Sequence, residues 1–179
     1  MAEPIADGRR RRGATRRREL LDATLRVIAR DGPAGVSQRR VADEAGVPPS
    51  AVLYHFASVD DLLVSTLVEV NDRYVAELEA VTTLTGLAAV IAASDRSTLI
   101  AEYDLFLLAA RRADLRGEVD RWRTTLAGLA ARLGAPRPAL LAAAVDGLWL
   151  QAALAELDEA TVLGVLRDAA GWRQGESNP

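Results

Sequence analysis

Apolar residues recur along this chain at intervals of three and four, the spacing of one helix face, and nowhere alternate as a half-buried strand would. Leu21, Leu25 and Ile28 define such a face in a helix predicted from about Thr15 to Arg30, flanked by Leu20, Thr24 and Val27. Asp31-Gly32-Pro33 stops it. Ser37 then caps a short helix that turns Val41, Ala42 and Ala45 inward, and Gly46-Val47 makes a tight turn. Pro49 suits the first turn of a third helix ending near Phe56. Ser58-Val59-Asp60-Asp61 reads as a capping box. It opens a long fourth helix whose stripe is Leu63, Leu67, Val70, Tyr74, Leu78 and Val81.

The remaining periodicity predicts five further helices. One spans about Leu84 to Ala93 with Gly86 inside it. The next, about Asp95 to Arg112, is apolar nearly all round and is expected to be buried on most sides. Leu115, Val119, Trp122, Leu126, Leu129 and Leu133 form the cleanest stripe, ended by Gly134-Ala135-Pro136. Helices of about Arg137 to Glu156 and Asp158 to Gly171 complete the set. The fold class is therefore all-α. The low aromatic content, 4%, fits this, because a core of Leu, Val and Ala favours helices over strands.

Charge divides the chain. Residues 1–56 carry eleven arginines against seven acids, a balance of +4, and residues 57–179 carry a balance of −7. A basic head on an acidic remainder is the asymmetry of a protein that meets a polyanion at one end. Residues 1–14, with Pro4, Gly8, Gly13 and the run Arg9 to Arg12, read as a disordered basic arm. Chemistry is narrowed from the other side. The chain has no cysteine and one histidine, so neither a metal site nor a bound cofactor is expected. No Ser–His–Asp order, Gly-rich phosphate loop or Glu-x-x-His pair points to an enzyme. No membrane span or signal peptide is read, and the expected compartment is the cytoplasm.

Residues 36–63 carry the most information. Two short helices joined by a Gly-containing turn, after a longer packing helix, make a helix-turn-helix. Ala42-Asp43-Glu44-Ala45-Gly46-Val47, Tyr54-His55-Phe56 and Ser58-Val59-Asp60-Asp61-Leu62 resemble, in residue type and spacing, the signature of the bacterial tetracycline-repressor (TetR) family. The likeness runs from about Thr15 to Leu63.

The resemblance implies a DNA-binding domain over 15–57 and a helical ligand-binding and dimerisation domain over 58–173. It implies a homodimer on a near-palindromic operator in double-stranded DNA, a repressor released by a small-molecule effector. Position by position, it places Arg16, Arg17 and Arg18 at phosphates, and Ser37 and Arg39 near them at the start of the second helix. Ser50, Ala51 and Leu53 face bases, Tyr54 and His55 face the backbone, and the arm reaches an adjacent minor groove. The family's usual Ser/Thr is Pro48 here, its frequent lysine is Val59, and a common contacting tyrosine is Leu53. Those departures support an alternative, a helical ligand-binding or interaction protein with weakened DNA binding.

Six residues are candidates for an effector pocket: Tyr103, Phe106, Trp122 and Trp149 as walls, Asp104 and Asp146 as polar anchors. The aromatics serve equally well as plain core. Asp146 and Gln151 interrupt an otherwise apolar helix, and a buried carboxylate there needs a partner, a second subunit or a ligand. Ala143 and Gly147, four apart, permit close helix approach, within the chain or between two copies.

Overall fold

In a computed structural model, the described residues are 4–171; of residues 4–10 and of Asp114 the backbone alone is described. Nine α-helices form among them: α1 Pro4–Asp31, α2 Gln38–Ala45, α3 Pro49–His55, α4 Val59–Ala80, α5 Leu84–Ala92, α6 Arg96–Ala110, α7 Arg116–Arg132, α8 Pro138–Leu154 and α9 Glu159–Ala170. They divide into two compact units, residues 1–69 and 70–179, with α4 contributing to both. This division falls inside α4, twelve residues beyond the boundary the sequence suggests, because Ser65 and Glu69 of α4 bond to Arg17 and Arg18 of α1 while Val70 onward belongs to the second unit.

One expectation is corrected at the N-terminus. Helix α1 starts at Pro4, not near Thr15, so the segment read as a disordered arm is helical from Pro4 on. Proline tolerates the first helical turn, and the alanine and arginines that follow are good helix formers, enough to carry the helix through Gly8 and Gly13. Residues 1–3 of that arm, and residues 172–173 at the expected domain end, lie outside the described residues.

In the first unit α1 packs on α2, and α2 on α3. Leu20, Leu21, Val27, Ile28, Val41, Ala42, Val52, Phe56 and Leu62 are buried between them. Each large apolar side chain so buried contributes about 1.5–3 kcal/mol before entropy is counted. Thr24 and Thr66 are buried at no hydrogen-bonding cost, since each hydroxyl donates to the carbonyl four residues back, Leu20 and Leu62. Ser37 caps α2 by accepting from the Arg40 N–H at 3.2 Å. Gly46 ends α2 in the left-handed region, φ 65°, where a side chain is strained.

The second unit packs α5 on α9, α7 on α8, α8 on α9 and α6 on α8. Its core includes Leu78, Leu84, Leu87, Ile91, Leu99, Leu129, Leu141, Leu148, Trp149 and Val162. Side chains cap three of its helices: Thr83 Oγ1 accepts from Gly86, Asp95 from Thr98 and Asp158 from Thr161. Arg96 and Arg132 tie neighbouring elements by donating to the carbonyls of Ala153 and Leu78. Helix α6 departs from expectation: Leu99, Ala101, Leu105 and Ala109 are buried, but Ile100 and Leu107 are exposed. Its apolar girth exceeds what three neighbouring helices cover. Asp146 and Gln151 also prove exposed, because α8 turns both toward solvent and packs through Leu141, Val145, Leu148 and Ala152.

Candidate functional site

Helix α3 is seven residues long and is anchored by one fully buried side chain, Val52, and by the Phe56 ring just beyond its end. The face opposite Val52 is open. Leu53 is 54% and Tyr54 84% exposed, whereas Phe56, Tyr74, Tyr103, Phe106, Trp122 and Trp149 are all buried or half-buried. Ser50 is exposed, and Ala51 and His55 are half-buried. Pro48 precedes the helix and makes no side-chain cap hydrogen bond, as a residue without hydroxyl or N–H must. The next helix begins with its capping box in altered form. Ser58 Oγ accepts from the Asp61 N–H at 3.0 Å, while the shorter Asp61 side chain accepts from Ala57 N–H at 2.9 Å.

The basic residues nearest this face are held in place. Arg17 donates to Ser65 Oγ at 2.9 Å and stacks its guanidinium 5.1 Å from the Phe56 ring centre. Arg16 pairs with Glu19 at 2.7 Å and Arg18 with Glu69 at 3.6 Å. Ser37 is half-buried, and its hydroxyl serves the α2 cap. Arg39 is exposed and 4.0 Å from Asp43. Glu44 accepts from Arg26 and Arg30, while Asp31 accepts from Arg30 and Arg40. These hydrogen bonds, Arg26 first and Arg30 second, lower the Glu44 pKa. Exposed pairs of this kind are worth little in water, so a phosphate can displace the carboxylate from Arg16, Arg18 or Arg39. Burial, then the charges of Arg17 and Arg16, lowers the His55 pKa, which keeps the imidazole neutral near pH 7.

The second unit holds a cavity of about 290 Å³ between α4, α6, α7 and α8. Tyr103, Phe106, Trp122, Asp146 and Trp149 line it together; Asp104, the sixth candidate, is half-buried on α6 and is not in the lining. The rings of Tyr74, Phe106, Trp122 and Trp149 form one continuous cluster, with neighbouring centroids 5.2–5.9 Å apart. Tyr103 donates to the Asp146 carbonyl at 2.9 Å, and Trp122 Nε1 to the Asp146 carboxylate at 3.1 Å. Trp149 is buried and donates to Ser94 Oγ.

Two lining residues escaped the sequence reading. In the sequence Tyr74 is only one member of a stripe, and Glu102 has no feature of its own that marks it. Tyr74 donates to Glu102 Oε2 at 2.6 Å, and Glu102 is only 8% exposed. The signal was available: Glu102 lies three residues after Leu99 and three before Leu105, inside the buried stripe of α6. Burial pushes the Glu102 carboxyl up to about 7, against the opposing effects of the Tyr74 hydrogen bond and the Arg73 charge. The same burial raises the Tyr74 hydroxyl above its ordinary value, so Tyr74 stays a neutral donor. Among the described residues no group of His, Cys, Asp and Glu could hold a metal ion.

Comparison with known proteins decides the lineage. Residues 20–66 match the profile of "Bacterial regulatory proteins, tetR family" and residues 76–171 that of "Tetracyclin repressor-like, C-terminal domain". The chain belongs to the TetR family. It is a DNA-binding transcriptional regulator of all-helical fold, with an N-terminal helix-turn-helix and a C-terminal helical domain. It is 31% identical over 175 residues to the HTH-type transcriptional regulator BetI of Brucella abortus, covering 86% of this chain and 88% of that protein. A TetR-family member from Streptomyces coelicolor A3 superposes with a TM-score of 0.72 at 35% identity, covering 86% of this chain and 97% of the other. The multidrug binding protein EbrR, complexed with ethidium, gives 0.65 at 35% identity, covering 86% and 98%. EbrR has also been solved with malachite green and proflavin. Among the described residues no single helix is long and apolar enough to cross a membrane.

Proposed function

We propose that this TetR-family regulator is a cytoplasmic repressor, without catalytic activity, that binds a near-palindromic operator as a homodimer and leaves it when a small molecule fills the α4–α6–α7–α8 cavity. The observation that carries the DNA half is the exposure of Leu53 and Tyr54 on α3, large apolar surface that a monomeric core would take in. Leu53 and Ala51 offer contact to thymine methyls, and Ser50 offers a hydrogen bond to a base edge. Tyr54 and His55 reach the backbone together with Arg16, Arg17, Arg18, Ser37 and Arg39. The side chains of Arg9 and Arg10, assigned to an adjacent minor groove, lie outside the described residues; Arg11 and Arg12 continue the same basic helix.

The dimer reading has its own support. Leu140, Ala143, Gly147, Leu150 and Leu154 form one stripe on α8; Leu140, Leu150 and Leu154 are exposed, as is Val165 on α9. A Cβ added at Gly147 or Gly164 would meet no atom of the chain within 4 Å, so internal packing does not require glycine there. Close approach by a second copy does require small residues. Two such subunits would present their α3 helices to successive major grooves about 34 Å apart.

The effector reading rests on a cavity whose walls are mostly apolar, with five aromatic side chains among them, and whose polar groups are few, the usual character of a small-molecule site. EbrR's complexes with flat dyes support an aromatic effector here. Effector and operator would be negatively coupled by about 1–3 kcal/mol. Selection of bound sequences from a random duplex pool tests the proposal. A recovered inverted repeat, retained on a gel by wild-type protein, is expected; a pool that stays unenriched would sink it and favour a protein whose head has lost DNA binding.

A further inference from the structure

Helix α7 has its close packing partners in α6 and α8, and side chains bridge it to α4. Asn71 joins Glu118, Asp72 pairs with Arg121, the Tyr74 and Trp122 rings meet at 5.3 Å, and Arg132 donates to the Leu78 carbonyl. The Asp72–Arg121 pair is partly exposed, where such pairs hold little. Asn71 differs. It is 1% exposed, and its Nδ2 donates to the Glu118 carbonyl at 3.2 Å and to Glu118 Oε2 at 2.7 Å. Its Oδ1 accepts nothing, and among the described residues no other buried side-chain oxygen or nitrogen is left unpaired. Turning the amide over would set Oδ1 against two Glu118 oxygens, so its surroundings fix which atom goes without a partner. An amide buried in this way costs stability that an apolar side chain of similar size would not. In return it gives direction. A hydrogen bond holds one register between helices, whereas apolar contact tolerates sliding, and a buried Asn in a helix seam fixes register at a cost in stability.

We propose that Asn71 is a positioning residue for the aromatic cavity: its bonds to Glu118 fix the seating of α7 on α4 and so hold the Trp122 ring against Tyr74. The inference rests on the reading of this cavity as the effector site. Glu118 and Trp122 are four apart on α7, and Asn71 and Tyr74 three apart on α4, so each pair shares a helix face. The polar contact and the aromatic one are thus successive rungs between the same two helices. The Glu118 carbonyl that Asn71 grips is also the one that receives the Trp122 N–H in an α-helix. Asn71 is not in the cavity lining, whereas Tyr74 and Trp122 are, so it acts on the site through those rings. The same seating leaves Trp122 Nε1 at 3.1 Å from the Asp146 carboxylate on the far wall. Removing the amide orphans no other group. The Glu118 carboxylate keeps Arg121 at 3.6 Å, and its carbonyl keeps the helical bond.

The test uses the full chain carrying Asn71→Leu, with Asn71→Ala beside it in case the larger side chain does not fit. Three quantities are read. They are the urea midpoint, the affinity for proflavin by fluorescence anisotropy, and the Trp122 share of the near-ultraviolet circular dichroism. That share is the difference Trp122→Phe makes in each background, and it reports how firmly the ring is held in one environment. In Asn71→Leu the urea midpoint is expected to stay equal or rise, because an unpaired buried acceptor is gone. The Trp122 signal should fall about twofold as the ring loosens. Proflavin should bind roughly tenfold more weakly, the order lost when a contact supporting a site is removed. Glu118→Gln keeps both acceptors for the amide, so all three quantities should stay near wild type. A Trp122 signal unchanged in both Asn71 variants overturns the inference. So does a signal that falls only where the urea midpoint falls with it, since the amide would then be an ordinary structural contact. The effector reading is judged separately on the unaltered protein. If that protein binds proflavin but the Trp122 signal is indifferent to Asn71, the inference alone is refuted. If it binds no proflavin while Asn71→Leu still loses the signal, the positioning role stands and the effector site is what fails.

Discussion

Arg17 stacks its guanidinium over the Phe56 ring, 5.1 Å from the centroid, and the same side chain donates to Ser65 Oγ at 2.9 Å. One arginine thus pins α1 to the end of α3 and to α4, while its exposed neighbours Arg16 and Arg18 pair with Glu19 and with the half-buried Glu69. Three adjacent arginines that look equivalent in sequence have different work. Arg17→Ala is expected to destabilise the fold by about 1–2 kcal/mol, the sum of a cation–π contact and one hydrogen bond. Arg16→Ala and Arg18→Ala should leave the melting temperature nearly unchanged. Each should instead reduce the salt slope of DNA binding by about one, measured by titration at several salt concentrations. A salt slope unmoved by both variants would remove their phosphate role.

The exposed pair on α3 separates recognition from folding. Leu53→Ala and Tyr54→Ala touch no core atom that Val52 and Phe56 do not already secure, so thermal melts should shift little. Operator affinity should fall, by about 1–3 kcal/mol where a base contact is lost. Tyr54→Ala should weaken specific and non-specific duplex binding alike, because a backbone contact carries no sequence information. Leu53→Ala should weaken the operator selectively. Fluorescence anisotropy with operator and scrambled duplexes checks both.

On α8 the stripe from Leu140 to Leu154 is predicted to be buried in the dimer. Leu150→Glu with Leu154→Glu should convert the protein to a monomer in sedimentation at micromolar concentration, because two unpaired charges would have to be desolvated at the interface. The isolated fold should survive, since both positions are exposed within the chain. A double variant that sediments as wild type would exclude this face.

How far these features can be read from sequence depends on how local their causes are. The caps at Ser37 and Ser58 and the glycine at Gly46 are recognisable because each is decided within a few residues. The start of α1 was missed because glycines and a basic run look like a disordered tail, while the helix propensity of arginine and alanine acts cumulatively over many residues. The cavity aromatics stood out by type, yet nothing in the sequence says that Tyr103, Phe106, Trp122 and Trp149 would meet around one space while Asp104, next to Tyr103, would face away. Asp146 drew attention as a polar break in an apolar helix and proved exposed, whereas Glu102, hidden in a stripe of ordinary appearance, is the buried one. Which face of an apolar helix is covered is a tertiary fact. Periodicity alone does not supply it when leucines lie all round.

Glu102 also leaves a mark on stability with a definite sign. Its carboxyl titrates near 7 in the fold, against 4.5 as its ordinary value, chiefly because burial penalises the charge. Between those values the native state holds a proton that the unfolded chain has released, so unfolding is favoured progressively as pH rises. This residue's contribution is therefore fully favourable below about pH 4.5, is lost through the window up to about 7, and is constant above it. Glu102→Gln keeps the shape and can still accept from Tyr74, but carries no charge to desolvate. At pH 8 the variant should be more stable than wild type by about 1–3 kcal/mol, and at pH 4 the two should melt together. Urea titrations at the two pH values measure the difference directly. Equal stability at both would mean that Glu102 is not charged in the fold at pH 8, or that it meets water freely when it is; destabilisation at pH 8 would mean that its charge is already compensated within the protein.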